Sequence, residues 1–302
     1  MSSRLEFYIM SGLLCFLGLI PKDLSVFAAR TLARIWFLID GKHRRKILRD
    51  IDRTPLRELD AKRKEAIAKG VYLHLGTMLA EVSKFRKWSA DKVSSCIAFT
   101  GGEALLDAVS KGKGALLITA HLGNWELAGM ALPLKGVPIS SVARPIRNTL
   151  LDETLNRLRT RFGQRIMVKF NVMLEIIREL KDGRCVGMLI DQDAERDCFF
   201  VPFLGEIAGT VSVPAKLAVK YKLPVFCVTS YRIAPFSHRY RITGPINFPT
   251  EGDDAVRITT EVFNNELSEA IMEHPEQWLW LHHRWRGADK KGLTRFSAGA
   301  GV

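Results

Sequence analysis

The first 84 residues carry apolar side chains in a pattern typical of helices. Residues 7–20 contain no charge, and a second apolar stretch over residues 24–39 is interrupted only by Arg30 and Arg34. These two arginines are four residues apart, so they share one face of a helix. Apolar side chains also recur at helical spacing between residues 50 and 84. The pattern predicts a helical N-terminal region.

After Gly101 and Gly102, short apolar runs alternate with amphipathic segments. The apolar runs predict buried strands over residues 114–120, 137–143, 185–190, 224–231 and 240–244. The amphipathic segments predict helices over residues 124–133, 150–162, 173–180, 213–221 and 255–274. This alternation predicts an α/β fold with a central mixed sheet flanked by helices. We expect an apolar helical segment over residues 1–41 and one α/β domain over residues 42–302.

The apolar N-terminal segment has two interpretations. Residues 7–20 are fewer than the roughly 20 apolar residues that span a bilayer. They are followed by Pro21-Lys22-Asp23 and not by a small-residue cleavage site, which argues against a secretory signal peptide. A basic cluster from Lys42 to Lys46 follows the segment. The segment is either a helical pair that covers a core or, as we expect, a membrane-associating hairpin whose basic cluster meets anionic headgroups.

Composition and charge narrow the class of protein. Of 302 residues, 47% are hydrophobic and 25% are charged, which excludes disordered and low-complexity classes. Lys and Arg number 45 against 32 Asp and Glu, a formal net charge of +13. This excess favours an anionic partner, which can be nucleic acid, an anionic membrane surface or a phosphorylated substrate. Five widely spaced cysteines without a C-x-x-C motif indicate free thiols in a reducing compartment.

Residues 118–129, with the sequence ITAHLGNWELAG, place a histidine between a predicted strand and a predicted helix. His121 follows the strand, Asn124 is suited to cap the helix, and Glu126 falls in the first helical turn. Because His121 lies outside the helix, the chain can bend so that Glu126 accepts a hydrogen bond from its ring. The other ring nitrogen is then a general base. Amides near Gly123 and the helix N-terminus are candidate donors to a developing oxyanion.

Other catalytic classes fit the sequence poorly. There is no H-E-x-x-H motif, and the adjacent His282 and His283 point apart on either a helix or a strand, so no metal is expected. The absence of G-x-S-x-G argues against a serine hydrolase. A base without a protein nucleophile indicates direct transfer to a hydroxyl of the substrate.

The block from His121 to Glu126 resembles the H-x4-D/E motif of the glycerolipid acyltransferase superfamily, which includes lysophospholipid acyltransferases. Its longer form, HLGNWELAG, is similar to the lipid A biosynthesis acyltransferases of the secondary, lauroyl or myristoyl type. Further blocks of that branch follow in order, so the resemblance extends from about Arg44 to Arg286. They are ARPIRN at 143–148, RLRTRFG at 157–163, IDQ at 190–192, FVPFLG at 200–205 with Thr210, PEQWLW at 275–280 and HHRWR at 282–286.

The resemblance implies a membrane-associated enzyme that moves a fatty acyl chain from a thioester to a hydroxyl of a lipid A precursor. It implies that His121 deprotonates the hydroxyl and that Glu126 orients His121. The thioester is an acyl carrier protein conjugate or an acyl-CoA, used as co-substrate, and no other cofactor is expected. The expected partners are the lipid acceptor, acyl carrier protein and an anionic membrane surface. The expected location is the cytoplasmic face of the inner membrane, with no nucleic acid bound.

Arginines near these blocks are candidates for binding the phosphates of the acceptor, because a guanidinium can bind phosphate in a bidentate manner. Arg144 is the strongest candidate because it sits at a strand end, near where His121 should lie across the sheet. The full set of candidates is Arg144, Arg147, Arg159 and Arg161.

Four further polar residues are expected to support the site. Asp191 ends a buried strand and is expected to hold an arginine or loop amides without a catalytic role. Thr210 is a candidate cap for the helix that begins near residue 213. Gln192 and Arg284 complete the supporting set.

Two alternatives remain open. The acceptor can be another glycolipid, such as a phosphatidylinositol mannoside. In a different class, the chain can be a non-catalytic basic protein that binds membranes or nucleic acid. Trp278, Trp280 and Trp285 alternate with cationic residues, which fits a nucleic-acid stacking surface, a membrane-interface belt or plain packing. We expect the membrane-interface belt.

Overall fold

A seven-stranded sheet lies at the centre of the computed structural model, which describes residues 3–168 and 172–293. A separate two-stranded hairpin stands beside the sheet. The sheet strands are β1 (Ile97–Gly101), β2 (Leu116–Thr119), β3 (Ile139–Ala143), β4 (Arg165–Val168), β5 (Cys185–Leu189), β8 (Val225–Ala234) and β9 (Ser237–Thr243). The hairpin strands are β6 (Cys198–Phe203) and β7 (Glu206–Val211).

The strand order in the sheet is β1-β9-β8-β2-β5-β3-β4. Strands β8, β2, β5, β3 and β4 run parallel, whereas β8 and β9 pair antiparallel. The predicted mixed α/β sheet is therefore confirmed. In the β2–β5 pair, Thr119 lies opposite Leu189. Residues two positions beyond these partners, His121 and Asp191, thus emerge together at the carboxyl end of the sheet.

Twelve α-helices are described in residues 3–168 and 172–293. They are α1 (Ser3–Leu19), α2 (Lys22–Ile39), α3 (Gly41–Ile51), α4 (Ala61–Phe85), α5 (Ala90–Ser94), α6 (Glu103–Ser110), α7 (Trp125–Leu134), α8 (Thr149–Arg159), α9 (Met173–Lys181), α10 (Val213–Tyr221), α11 (Ala255–Glu273) and α12 (Arg286–Lys290). Short 3₁₀ helices cover Pro55–Glu58, Thr160–Phe162 and Pro275–Gln277.

The two N-terminal helices pack against α4. Gly76 of α4 makes this contact close, because a Cβ atom at that position would lie 2.7 Å from the Ala29 carbonyl oxygen and from Ala33 Cβ. None of the helices in the described part of the chain combines the length and the apolar character needed to cross a bilayer. The division into residues 1–41 and 42–302 stays a prediction, and residues 294–302 lie outside the described residues.

The five predicted strands and five predicted helices are present with small shifts of their ends. Strands β1 and β4 and the β6–β7 hairpin were not predicted. Both β1 and β4 are edge strands with partly exposed side chains, so neither forms a continuous apolar run. The long amphipathic region 50–84 divides at Pro55 into the 3₁₀ turn and α4, since proline removes a backbone donor.

The segment 275–285 returns across the carboxyl end of the sheet. Leu122 and Trp278 form an antiparallel bridge, and the Leu279 amide donates to the His121 carbonyl over 3.0 Å. Trp278, Trp280 and Trp285 are at most 2% exposed. The predicted membrane-interface belt of tryptophans is therefore wrong, because these indoles fill the core beneath the site.

Candidate active site

The ring of His121 is held by the carboxylate of Asp191. His121 Nδ1 lies 2.8 Å from Asp191 Oδ1, and the His121 backbone N–H donates to Asp191 Oδ2 over 2.9 Å. The two contacts follow from the parallel β2–β5 register, which brings both residues to the same sheet edge. A carboxylate only accepts hydrogen bonds, so Nδ1 carries the proton and Nε2 is the basic nitrogen.

Asp191 is fully buried and is itself fixed by a third donor, since Trp278 Nε1 donates to its Oδ2 over 2.8 Å. Burial alone would raise the pKa of Asp191, but the nearby His121 keeps it well below its usual range. Burial likewise lowers the pKa of His121, and the charge of Asp191 outweighs this effect so that the net shift is upward. The pair is therefore built to stabilise an imidazolium over an ionised carboxylate.

Glu126 forms no hydrogen bond with the His121 ring, so the predicted orienting hydrogen bond is wrong. Its two carboxylate oxygens accept from Arg159 Nε and Nη2 over 2.8 and 2.7 Å. Glu126 lies in the first turn of α7 and Arg159 in the last turn of α8, and the ion pair ties these helices together. Glu126 still raises the pKa of His121 through its charge.

The loop between His121 and α7 is held by hydrogen bonds on both sides. The Gly123 amide donates to the Gln277 carbonyl over 3.1 Å. The predicted role of this amide in binding an oxyanion is therefore wrong, because its proton is already donated. Gly123 has φ of +61°, and a Cβ atom there would lie 2.3 Å from the Ser230 carbonyl oxygen, so only glycine fits. The predicted cap is confirmed, as Asn124 Oδ1 accepts from the Leu127 amide over 3.2 Å.

A buried ion pair that the sequence analysis missed supports this loop from below. Arg232 donates to both oxygens of Glu81 over 2.7 Å, and Glu81 also accepts from Asn124 Nδ2 over 2.9 Å. His74 Nε2 lies 3.0 Å from the Gly123 carbonyl oxygen. Burial lowers the pKa of His74 to about 3, so its ring is neutral and donates to that oxygen. Glu81 is a charged residue within the apolar face of a predicted helix, and this position could have indicated a buried ion pair.

Two of the predicted phosphate-binding arginines are already engaged by the protein. Arg159 is paired with Glu126, and Arg161 donates from Nη1 to the Phe85 carbonyl. Arg144 and Arg147 are exposed and follow β3, two strands from β2 at the carboxyl end of the sheet. These two remain candidates for contact with an anionic substrate.

The supporting residues lie near the site. Asp191 holds the backbone amide of His121, as expected, and also its ring, which was not predicted. Gln192 Nε2 lies 3.4 Å from His121 Nε2, so its amide borders the basic nitrogen. Thr210 does not cap α10, whose N-cap is Ser212. Its hydroxyl instead accepts from Arg284 Nη2 over 2.6 Å. Arg284 is fully buried, which lowers the pKa of its guanidinium to about 10, and it donates to the carbonyls of Gln192 and Gly209.

His282 is a further side chain at the site. Its Nε2 lies 3.7 Å from Asp191 Oδ2, and burial lowers the pKa of its ring. Together with His121 and Asp191 it offers donor atoms that all lie within 4.8 Å of one another. This spacing can hold a metal ion, so the expected metal-free reaction stays a prediction.

Comparison with known proteins points to one family. The family described as bacterial lipid A biosynthesis acyltransferase matches residues 1–287. A lipid A biosynthesis palmitoleoyltransferase of Escherichia coli K12 is 27% identical over 230 residues, which cover 75% of this chain and 73% of the relative. The lipid A biosynthesis lauroyltransferase of the same organism is 28% identical over 221 residues, which cover 70% of this chain and 69% of the relative. A phosphatidylinositol mannoside acyltransferase of Mycobacterium tuberculosis is 29% identical over 196 residues, which cover 61% of this chain and 59% of the relative.

Proposed function

Because this chain belongs to the bacterial lipid A biosynthesis acyltransferase family, we propose that it transfers a fatty acyl chain from a thioester to a hydroxyl of a lipid A precursor. The protein is an O-acyltransferase, so the alternative of a non-catalytic binding protein is wrong. The observation that carries the mechanism is the 2.8 Å contact between His121 Nδ1 and Asp191 Oδ1.

The reaction begins when His121 Nε2 removes the proton from the acceptor hydroxyl. The resulting oxygen nucleophile attacks the thioester carbonyl carbon, and a C–O bond forms as the carbonyl oxygen becomes an oxyanion. The oxyanion collapses, the C–S bond breaks, and the leaving thiolate takes the proton back from Nε2 as a thiol. Asp191 stabilises the imidazolium that exists between the two proton transfers. Histidine and carboxylate return to their starting states.

Donors to the oxyanion must come from groups other than the Gly123 amide. The Gln192 side chain is one candidate, because its Nε2 is 3.4 Å from His121 Nε2. The amides of Trp125 and Glu126 at the start of α7 are another, since amides in the first turn of a helix lack partners within the helix. The Leu127 amide is not a candidate, because it donates to the Asn124 cap.

The acceptor phosphates would meet Arg144 and Arg147. Both guanidiniums are exposed at the carboxyl end of the sheet, where ligands of open α/β sheets bind. Arg159 and Arg161 take no part in this contact, because they serve Glu126 and the Phe85 carbonyl.

Association with a membrane surface would bring the lipid acceptor to the site. Large apolar side chains of α1 and α2 face solvent, and Tyr8, Leu19, Phe27, Leu38 and Ile39 are each between 64% and 77% exposed. Exposed apolar surface of this kind is typical of interaction sites. We place the enzyme on the cytoplasmic face of the inner membrane, where acyl carrier protein would supply the thioester to this chain of net charge +13.

Membrane association can be tested without disturbing the fold. Tyr8, Leu19, Leu38 and Ile39 are replaced together by serine, which leaves the buried side of both helices unchanged. We expect flotation with vesicles to be lost, whereas the enzyme in detergent keeps its activity. Flotation equal to that of wild type would contradict the proposal.

A second acceptor class is supported by the similarity to mycobacterial phosphatidylinositol mannoside acyltransferases. The two acceptors are distinguished by incubating the purified enzyme with isotopically labelled acyl carrier protein thioesters, or acyl-CoA, and a panel of glycolipids. Mass spectrometry then reads the products. We expect transfer to a phosphorylated glucosamine disaccharide and none by His121→Ala. Transfer only to a phosphatidylinositol mannoside would replace the first acceptor with the second.

A further inference from the structure

An open cleft of about 390 Å³ lies between α2 and the turn that joins β8 to β9. Its lining combines apolar side chains with two arginines and one aspartate, namely Val26, Phe27, Pro235, Arg30, Arg34 and Asp23. We call it the Arg30–Arg34 cleft. None of these residues belongs to the sequence blocks of the family or to the catalytic site described above.

The two arginines of the cleft lack partners within the described residues. Neither guanidinium forms an ion pair there, and Arg30 Nε is shielded from solvent without a hydrogen-bond acceptor. A shielded donor without an acceptor carries a cost in free energy. An anion that accepts from Arg30 would remove this cost, and Arg34 lies one helical turn away on the same face. Among the described residues, the lining contains one acidic side chain, that of Asp23, and it is exposed.

The surroundings of the cleft are apolar. Phe27 lines the cleft and is 64% exposed, and the neighbouring Leu24 and Ile35 are exposed as well. Val26, at the floor of the cleft, is buried, as are Ala29 and Ala33 on the same helix. A small anion in water would gain nothing from exposed aromatic and aliphatic side chains. An anion attached to acyl chains would instead bury these exposed side chains against its own chains, because an amphiphile presents charge and apolar surface side by side.

The cleft is also close to the catalytic loop. Pro235 follows Arg232 by three residues. The Arg232 amide donates to the side-chain Oε1 of Gln277 over 2.7 Å. The backbone carbonyl of Gln277 accepts from the Gly123 amide. Strand β8 runs parallel to its neighbour β2, so the turn that follows β8 and His121, which follows β2, emerge at the same edge of the sheet. A lipid headgroup in the cleft would therefore approach the protein from the edge of the sheet that carries His121.

We propose that the Arg30–Arg34 cleft binds the phosphate group of a lipid, with Arg30 and Arg34 as the two cationic contacts. The proposal rests on the proposed membrane association. The phosphate can belong to a surrounding anionic phospholipid or to the acceptor itself, and the chemistry of recognition is the same for both. Bidentate contact by either guanidinium distinguishes this site from a diffuse attraction between the basic protein and a negative surface.

The test compares the double variant Arg30→Gln/Arg34→Gln with the control Arg57→Gln/Arg63→Gln. Both remove two positive charges. Arg57 and Arg63 pair with Glu58 and Asp60. Arg63 is 13 residues along α4 from Gly76, which contacts Ala29 of α2, a distance of about 20 Å. Co-sedimentation is measured with vesicles of phosphatidylcholine alone and with phosphatidylglycerol added. Transfer kinetics are measured in detergent on acceptors with and without their phosphates.

We expect the Arg30→Gln/Arg34→Gln protein to lose at least tenfold in affinity for phosphatidylglycerol vesicles, while the control variant loses little. If the phosphate belongs to the acceptor, the same variant raises KM for the phosphorylated acceptor only, and vesicle affinity is unchanged. Equal losses in both variants would overturn the proposal, as would no change in either assay. Absence of vesicle binding by the wild-type protein would instead contradict membrane association, leaving the KM assay to decide the cleft.

Discussion

Nδ1 of His121 lies 2.8 Å from Oδ1 of Asp191, although the two residues are 70 positions apart in the chain. Each residue stands two positions beyond paired residues of neighbouring parallel strands, so the sheet register creates the contact. Glu126, only five residues from His121, is turned instead toward Arg159. The orienting carboxylate is therefore supplied by the sheet and not by the H-x4-E motif.

The Asp191 carboxylate should set the pH at which the enzyme becomes active. Asp191 raises the pKa of His121 and so favours the protonated ring, which cannot act as a base. Asp191→Asn should lower this pKa, and the acidic limb of the kcat/KM profile should then move to lower pH. Asp289→Asn, which removes an exposed carboxylate paired with Arg53, is the control and should leave the limb in place. A limb that stays fixed in Asp191→Asn would show that another group controls it.

The buried Glu81–Arg232 pair should matter for both stability and activity. Glu81→Gln leaves a buried guanidinium without its counter-charge, which should cost about 3–5 kcal/mol in free energy of unfolding. The double variant Glu81→Leu/Arg232→Met removes both charges and should recover much of that stability. Its kcat should remain low, because Asn124, in the loop that follows His121, loses the acceptor that fixes it. Denaturant unfolding and kcat are measured on both proteins, and a kcat that recovers in step with stability would argue against a positioning role.

Glu126 and Arg159 should contribute to the free energy of unfolding as a coupled pair. Their bidentate ion pair is mostly buried, with side-chain exposures of 11% and 19%. Glu126→Gln and Arg159→Gln should each reduce the free energy of unfolding by about 1–3 kcal/mol. The double variant should cost less than the sum of the two single changes, because each removes the same contact. Strict additivity in urea unfolding would mean that the pair is not formed in solution.

Catalysis should survive removal of metal ions. His121, Asp191 and His282 lie close enough to bind one, but the proposed proton transfers need Nε2 of His121 as a base. Prolonged treatment with a chelator should leave kcat unchanged, and added Zn²⁺ should inhibit by occupying the base. His282→Ala, which removes one donor, should weaken that inhibition. Loss of activity with the chelator and recovery with a metal ion would contradict the metal-free mechanism.

Much of the fold could be predicted from the sequence. The apolar runs gave five strands, and the strand–loop–helix arrangement around His121 and the cap at Asn124 follow from local rules. The partner of His121 could not be found in this way, because spacing along the chain favours Glu126 and the contact with Asp191 depends on which strands are neighbours. The predicted location of the three tryptophans at a membrane interface was wrong for a related reason. Their pattern suits an interface, but the return of segment 275–285 over the sheet buries them.

The most direct test of the account is kcat for acyl transfer by Asp191→Asn and Glu126→Gln, measured side by side on folded proteins. If Asp191 orients His121, Asp191→Asn should reduce kcat by about 10³–10⁴-fold, as expected when a histidine base loses its orienting carboxylate. Glu126→Gln should reduce kcat by no more than about tenfold, equivalent to about 1.4 kcal/mol. A collapse of kcat in Glu126→Gln with near-normal turnover in Asp191→Asn would contradict the account.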